Sequence, residues 1–182
     1  MNASEASKWV QKAREMLRDA RIVVTEAELS MMEVADFNLP AGNFPAIGLE
    51  IIVYENNDRY CAKELVLFPG QSCPEHKHPA VAGKPGKQET FRCRWGEVYL
   101  YVPGDPTPNR KAVLPENKRS TFTVGHEIVL KPGDQYTLPP DTWHWFQGGP
   151  KGAIVSEFSS TSTDENDVFT DKEIKHDKSE RS

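Results

Sequence analysis

Cysteine is scarce in this chain. Cys61, Cys73 and Cys93 are its whole complement, an odd number without framework spacing. That argues against a disulfide scaffold and fits a reducing compartment. No apolar run approaches the length of a membrane span. The first residues are polar, so no signal peptide is expected there. Basic residues are not in excess: 22 Lys and Arg stand against 27 Asp and Glu, for a net charge of −5. They are scattered rather than gathered in the stripe that a nucleic-acid binder usually shows. The expectation is a soluble cytoplasmic protein without nucleic-acid or membrane partners. At 182 residues it is most simply one domain, long enough to bury a core.

Helix signals are confined to the start. From Ser4 to Ala20, Trp9, Ala13, Met16, Leu17 and Ala20 recur at helical spacing. Thr25 with Glu28 forms a capping-box pattern, so a short second helix is expected to start there. From Met32 the chain turns to short β-branched and aromatic runs broken by Gly, Pro and Asn. Strands are expected at Ile47 to Tyr54, Tyr60 to Phe68, Thr90 to Arg94, Val98 to Val102, Tyr136 to Leu138 and Ala153 to Ser159. Trp95-Gly96-Glu97 reads as a break between two strands. Thr121 to Val124 and Glu127 to Leu130 read as a hairpin around Gly125-His126. Such a pattern predicts an all-β sandwich or barrel with the helices packed against it. The polar tail has Val168, Phe169 and Ile174 as its apolar grip, and from Lys172 onward mobility is expected.

The chain is organised around Gly70 to Gly96. His76 and His78 stand one residue apart, and alternate residues of an extended strand share a face. Two imidazoles followed by a carboxylate make half of a divalent-metal site, and His144 in TLPPDTWHWF is the natural supplier of the rest. Cys73, three residues before His76, raises a Cys/His zinc site as a rival. No second cysteine accompanies it at zinc-knuckle spacing, and a strand cysteine reads more simply as a small core residue. His126 is expected in an exposed turn and His176 in the charged tail, neither with a role.

Two stretches resemble the paired motifs of the cupin superfamily. The first runs from Gly70 through His76, His78 and Glu89 to Gly96. The second runs from Gly133 through Pro139 and Asp141 to His144 and Gly148. The first departs from the pattern by ten residues between His78 and Glu89, and the second has Gly148 where Asn is usual. The resemblance implies a cupin jelly-roll barrel over residues 31–170, with residues 1–30 a helical segment of the same domain and 171–182 a tail. It also implies His76, His78, Glu89 and His144 as metal ligands. The stretches DRYCAKELVLFPGQSCPEHKHP, GKQETFRCRWGEVYLYVPG and LPPDTWHWFQGGPKGAIVSEFSSTSTDENDVF resemble, more narrowly, the D-lyxose ketol-isomerase family. That family interconverts D-lyxose with D-xylulose, and often D-mannose with D-fructose, using Mn²⁺ or a similar ion. A homodimer is expected on the same ground.

The residues suit such chemistry. Three histidines and a carboxylate accommodate Mn²⁺, Fe²⁺, Co²⁺, Ni²⁺ or Zn²⁺ and leave positions open. An aldose–ketose isomerase also needs a base to carry a proton between C1 and C2. Glu157, in the apolar run Ile154 to Phe158, is the candidate; the alternative is a Glu on the solvent face of an edge strand. Lys87 shares a strand face with Glu89 if the strand starts early, and would stabilise enediolate charge; the alternative is a solvated loop lysine. Lys63 is favoured over Glu64 as the inward residue and as a sugar-hydroxyl contact. Trp143 and Trp145 read as core aromatics, with a wall against the sugar as the sharper alternative. Two rival functions share the metal site: an Fe²⁺ dioxygenase and a non-catalytic sugar-binding cupin.

Overall fold

A computed structural model describes residues 1–174. Helix α1 spans Ala3–Asp19 and α2 spans Glu26–Ser30; each opens on a complete capping box, Asn2 with Glu5 and Thr25 with Glu28. The strands are β1 (Glu33–Ala35), β2 (Leu49–Asn56), β3 (Cys61–Leu67), β4 (Ser72–Lys77), β5 (Glu89–Val102), β6 (His126–Leu130), β7 (Gln135–Leu138), β8 (His144–Ser159) and β9 (Val168–Phe169). They form one sheet in the order β1-β2-β3-β8-β4-β9, with β5 also joined to β6, β7 and β8, and every paired strand antiparallel. The sheet curls into a half-barrel, as the all-β reading requires.

β8 is the hub. Its first residues pair with β4, bringing His144 opposite His76. Its second half pairs with β3 on one side and β5 on the other. Alternation then sorts the side chains. Lys63, Leu65 and Leu67 of β3, Phe91 and Cys93 of β5, and Ala153, Val155 and Glu157 of β8 share the concave face, where Leu65, Leu67, Phe91, Cys93, Phe146 and Val155 form the inner core. On the opposite face, Ile52, Val66 and Ile154 pack under Ala13 and Leu17 of α1 and Leu29 of α2. The helices therefore lie outside the curl, as expected.

Three expectations fail, each for a physical reason. Trp95-Gly96-Glu97 does not separate two strands: β5 runs unbroken through it, with register shifts at Cys93/Trp95 and Gly96/Val98. Gly96 has φ +72°, and a Cβ there would sit 2.0 Å from the Gly152 carbonyl oxygen, so this glycine lets two long strands approach rather than ending one. Likewise β8 starts at His144, nine residues before the expected Ala153. Thr121 to Val124 forms no strand. Glu116–Thr121 is a 3-10 helix, and the Thr123 and Val124 amides donate to the buried Glu75 carboxylate at 2.6 and 2.9 Å. A side chain thus occupies donors that a ladder would need. His126 is the exposed first residue of β6 rather than part of a hairpin turn, and His176 lies outside the described residues. Among the described residues no helix is long and apolar enough to cross a membrane.

Candidate metal centre and isomerase site

Three strands converge at one end of the concave face. β4 carries His76, and His78 follows directly after its end; β5 opens with Glu89; β8 opens with His144. All four side chains are buried. One ring nitrogen from each of His76, His78 and His144 lies within 4.8 Å of the other two. Glu89 Oε1 reaches to 2.9 Å from His144 Nε2 and 3.2 Å from His78 Nε2.

The outer nitrogens settle the tautomers. His76 Nδ1 donates to the Pro74 carbonyl at 2.8 Å and His144 Nδ1 to the Thr142 carbonyl at 2.9 Å. A carbonyl only accepts, so each Nδ1 carries its proton and each Nε2 presents a lone pair inward. His78 Nδ1 meets Asp167 Oδ1 at 2.5 Å. His144 Nε2 is fully buried and makes no aligned hydrogen bond, although Glu89 Oε1 is close. An orphaned, inward-facing imidazole nitrogen among two more imidazoles and a carboxylate is what a divalent cation satisfies, so the residues present fit a metal. Cys73 is not part of this set. Its Sγ lies 4.0 Å from His76 Nδ1, and burial pushes the thiol well above its usual range, the reverse of a thiolate ligand.

Beside the histidines lies a network of buried charge. Lys87 Nζ is 2.9 Å from Glu89 Oε2, 3.0 Å from Glu157 Oε1 and 3.8 Å from Asp164 Oδ1. Burial would lower the Lys87 pKa, but Glu157 and Glu89 outweigh it and hold the ammonium well above its usual range. Burial likewise opposes charge on Glu89, and Lys87, His78 and His144 outweigh it and keep the carboxyl well below the carboxylate range. Lys63 faces Glu157 across the β3–β8 ladder and donates to Ser162 Oγ at 2.9 Å and Asp164 Oδ2 at 2.6 Å. Lys63 and Lys87, singled out from strand alternation, and Glu157, singled out as a carboxylate in an apolar run, therefore stand together around the concave face. Glu64 is buried too, but on the outer face, where it accepts from Ser156 Oγ at 3.0 Å.

Lys87 is delivered by the loop between His78 and Glu89. At Gly86 a Cβ would fall 1.9 Å from the His78 carbonyl oxygen, so this loop is folded tightly back on a ligand's own backbone. Of the aromatic pair flanking His144, Trp145 belongs to a core cluster. There it stacks on Tyr101 at 3.8 Å beside Phe122 and Tyr99, while Trp143 carries Lys77 5.2 Å above its ring. Sequence reasoning missed Asp164 and Asp167, which enter from the polar tail. Their only signal is the Val168-Phe169 apolar pair that docks this segment as β9 on β4.

A family model described as D-lyxose isomerase matches residues 5–179. The chain is 63% identical over 165 residues to a D-lyxose ketol-isomerase of Thermofilum sp. (strain ex4484_79), with 91% of each chain covered. It is 57% identical over 175 residues to a D-lyxose/D-mannose isomerase of Thermosediminibacter oceani, with 96% of each covered. Among solved structures, the L-ribose isomerase of Cellulomonas parahominis superposes with a TM-score of 0.78 at 17% identity, over 96% of this chain and 94% of that one, a likeness of fold.

Proposed function

The chain belongs to the D-lyxose isomerase family, and on that premise we propose that it is a metal-dependent aldose–ketose isomerase converting D-lyxose to D-xylulose and D-mannose to D-fructose. The observation that carries this reading is the meeting of three Nδ1-anchored imidazoles and Glu89 with Lys87 and Glu157 in one buried site. The family places the dioxygenase and the sugar-binding readings behind the isomerase.

His76, His78, His144 and Glu89 would hold a divalent ion, Mn²⁺ foremost, with Co²⁺, Fe²⁺, Ni²⁺ and Zn²⁺ as substitutes. When bound, such an ion supplies Lewis-acid polarisation at the sugar's O1 and O2. Glu157 is the base. Its carboxylate takes the C2 proton of the open-chain aldose, exchanges it with solvent and delivers a proton to C1, while the O2 hydroxyl proton moves to O1, so the product is an isomer with nothing gained or lost. Lys87, kept charged by its carboxylate neighbours, donates to the oxygen on which negative charge grows. Lys63, braced by Ser162 and Asp164, offers its remaining hydrogen to a sugar hydroxyl. The inner apolar wall of Phe91, Leu65 and Val155 limits water on the other side of the base. A cytoplasmic homodimer is the expected setting.

The test is to strip the protein with EDTA, reload it with Mn²⁺ and follow D-xylulose formation from D-lyxose. Turnover that returns only with the ion supports the reading. Absence of turnover on lyxose, mannose and xylulose with Mn²⁺, Co²⁺ and Fe²⁺ would contradict it.

A further inference from the structure

His78 differs from the other two histidines in what orients it. His76 and His144 each donate to a carbonyl two residues back in their own chain segment, so their ring angles are set locally. His78 stands past the end of β4 and is held by Asp167, 89 positions later in the chain. Asp167 belongs to a strap, residues 160–174, that carries β9 onto β4. The strap is tied at its start by Ser162 and Asp164 to Lys63, and around and beyond Asp167 at three further points. β9 pairs Phe169 with His76 and Val168 with Lys77. Thr170 donates through its amide to the Glu75 carbonyl at 3.1 Å and through its hydroxyl to the Glu75 carboxylate at 2.7 Å. Beyond that, the buried Lys118 ammonium grips Asp171 at 2.7 Å and Glu173 at 2.6 Å. Glu75 immediately precedes His76 and also holds the loop at Thr123, so the strap is seated on the strand that carries His76 and leads directly into His78.

We propose that Asp167 is a positioning residue of the metal centre, and that through it strap docking and ion loading form one linked equilibrium. This rests on the metal reading above. An imidazole ligand must keep its proton on the outer nitrogen and its ring at a fixed angle, and a carboxylate acceptor on Nδ1 does both. With the strap released, His78 loses its Nδ1 acceptor and keeps only Glu89, itself part of the site, so two imidazoles instead of three are oriented from outside it. Linkage is reciprocal: if the docked strap tightens ion binding by some factor, the ion must favour docking by the same factor.

The experiment is Mn²⁺ binding by calorimetry to the metal-free full chain, for the wild type, Asp167→Ala and Asp167→Asn, with amide exchange at Thr170 followed with and without Mn²⁺. Loss of the acceptor in the Ala variant should weaken Mn²⁺ binding by about 10–100-fold. Asn retains an acceptor oxygen and should recover part of that loss. Mn²⁺ should slow Thr170 exchange in the wild type and not in Asp167→Ala. Ala and Asn variants that bind Mn²⁺ within twofold of a wild type that itself binds would overturn this proposal alone, as would equal losses in both that simply follow the thermal midpoint of the metal-free protein. A wild type that binds neither Mn²⁺ nor Co²⁺ would overturn the metal reading and this proposal with it.

Discussion

The sheet buries carboxylates in two opposite ways. On the concave face Glu89 and Glu157 sit with Lys87 between them, and Asp164 closes on Lys63. On the outer face, under α1, Glu50 is 0% exposed and neither of its oxygens makes an aligned hydrogen bond. Gln71, its polar neighbour, already accepts from the Phe68 amide at 2.9 Å and donates to the Phe44 carbonyl at 3.0 Å. Burial pushes the Glu50 pKa up to about 9, with only modest opposition from its own backbone, Gln71 and Lys12. Partners let a carboxylate keep its charge out of water, and without them it takes up a proton instead. Burial of an acid is therefore not in itself the mark of a site in this protein; convergence of cations and imidazoles on it is.

The sharpest way to break this contrast is to give the concave face the condition of Glu50. Lys87→Met removes the cation shared by two buried carboxylates, and breaking such a pair costs about 3–5 kcal/mol. Urea unfolding of the metal-free protein should register that loss, and turnover should fall by about 10²-fold or more with the donor gone.

The reverse experiment relieves the outer face. The folded pKa of Glu50, about 9, lies above its ordinary 4.5. Between those values the folded chain holds a proton that the unfolded chain has released, so stability falls as pH rises through the window and levels off above it. Glu50→Gln should abolish that slope. Its thermal midpoint should match the wild type near pH 4.5 and exceed it at pH 8, the gain reaching on the order of 3 kcal/mol near neutrality. Equal midpoints across the whole range would show that Glu50 is paired after all.

Smaller changes sharpen the contrast at the level of backbone. Gly86→Ala drives a methyl group against the His78 carbonyl and should weaken Mn²⁺ binding by about 10-fold or more. Gly42→Ala has nothing within 4 Å and should leave Mn²⁺ binding unchanged, with stability raised by about 0.4–1 kcal/mol. Smallest of all is Arg14→Ala, which breaks an exposed ion pair with Glu26 and should cost less than about 1 kcal/mol in a thermal melt.

Much of this architecture was legible because its causes are local. Thr25 with Glu28 is a four-residue pattern and α2 begins where that pattern places it, while α1 was legible from its helical apolar spacing. His76 and His78 were readable as a pair from spacing, Lys63 and Lys87 from strand alternation, and Glu157 as a carboxylate within an apolar run. The unread parts depend on distant chain. Glycines near 96 and 148–152 look like strand ends in one dimension, yet they permit the close approach of β5 and β8. The Thr121 to Val124 strand failed because Glu75, 48 positions earlier than Thr123, takes the donors. Asp164 and Asp167 sit in a polar stretch indistinguishable from a solvated tail until β9 docks. Glu50 resembles any strand acid until α1 covers it.

The central claim is that Glu157 carries a proton between C1 and C2 within this buried set. It is tested most directly by running the Mn²⁺-loaded enzyme on D-lyxose in D₂O and locating deuterium in the D-xylulose by NMR, with Glu157→Gln alongside. The account predicts solvent deuterium at C1 for the wild type, and for Glu157→Gln intact Mn²⁺ binding with neither exchange nor turnover. Full retention of deuterium from C2-labelled lyxose at C1 of the product, or undiminished exchange in Glu157→Gln, would contradict it and assign the transfer to a hydride shift or to another base.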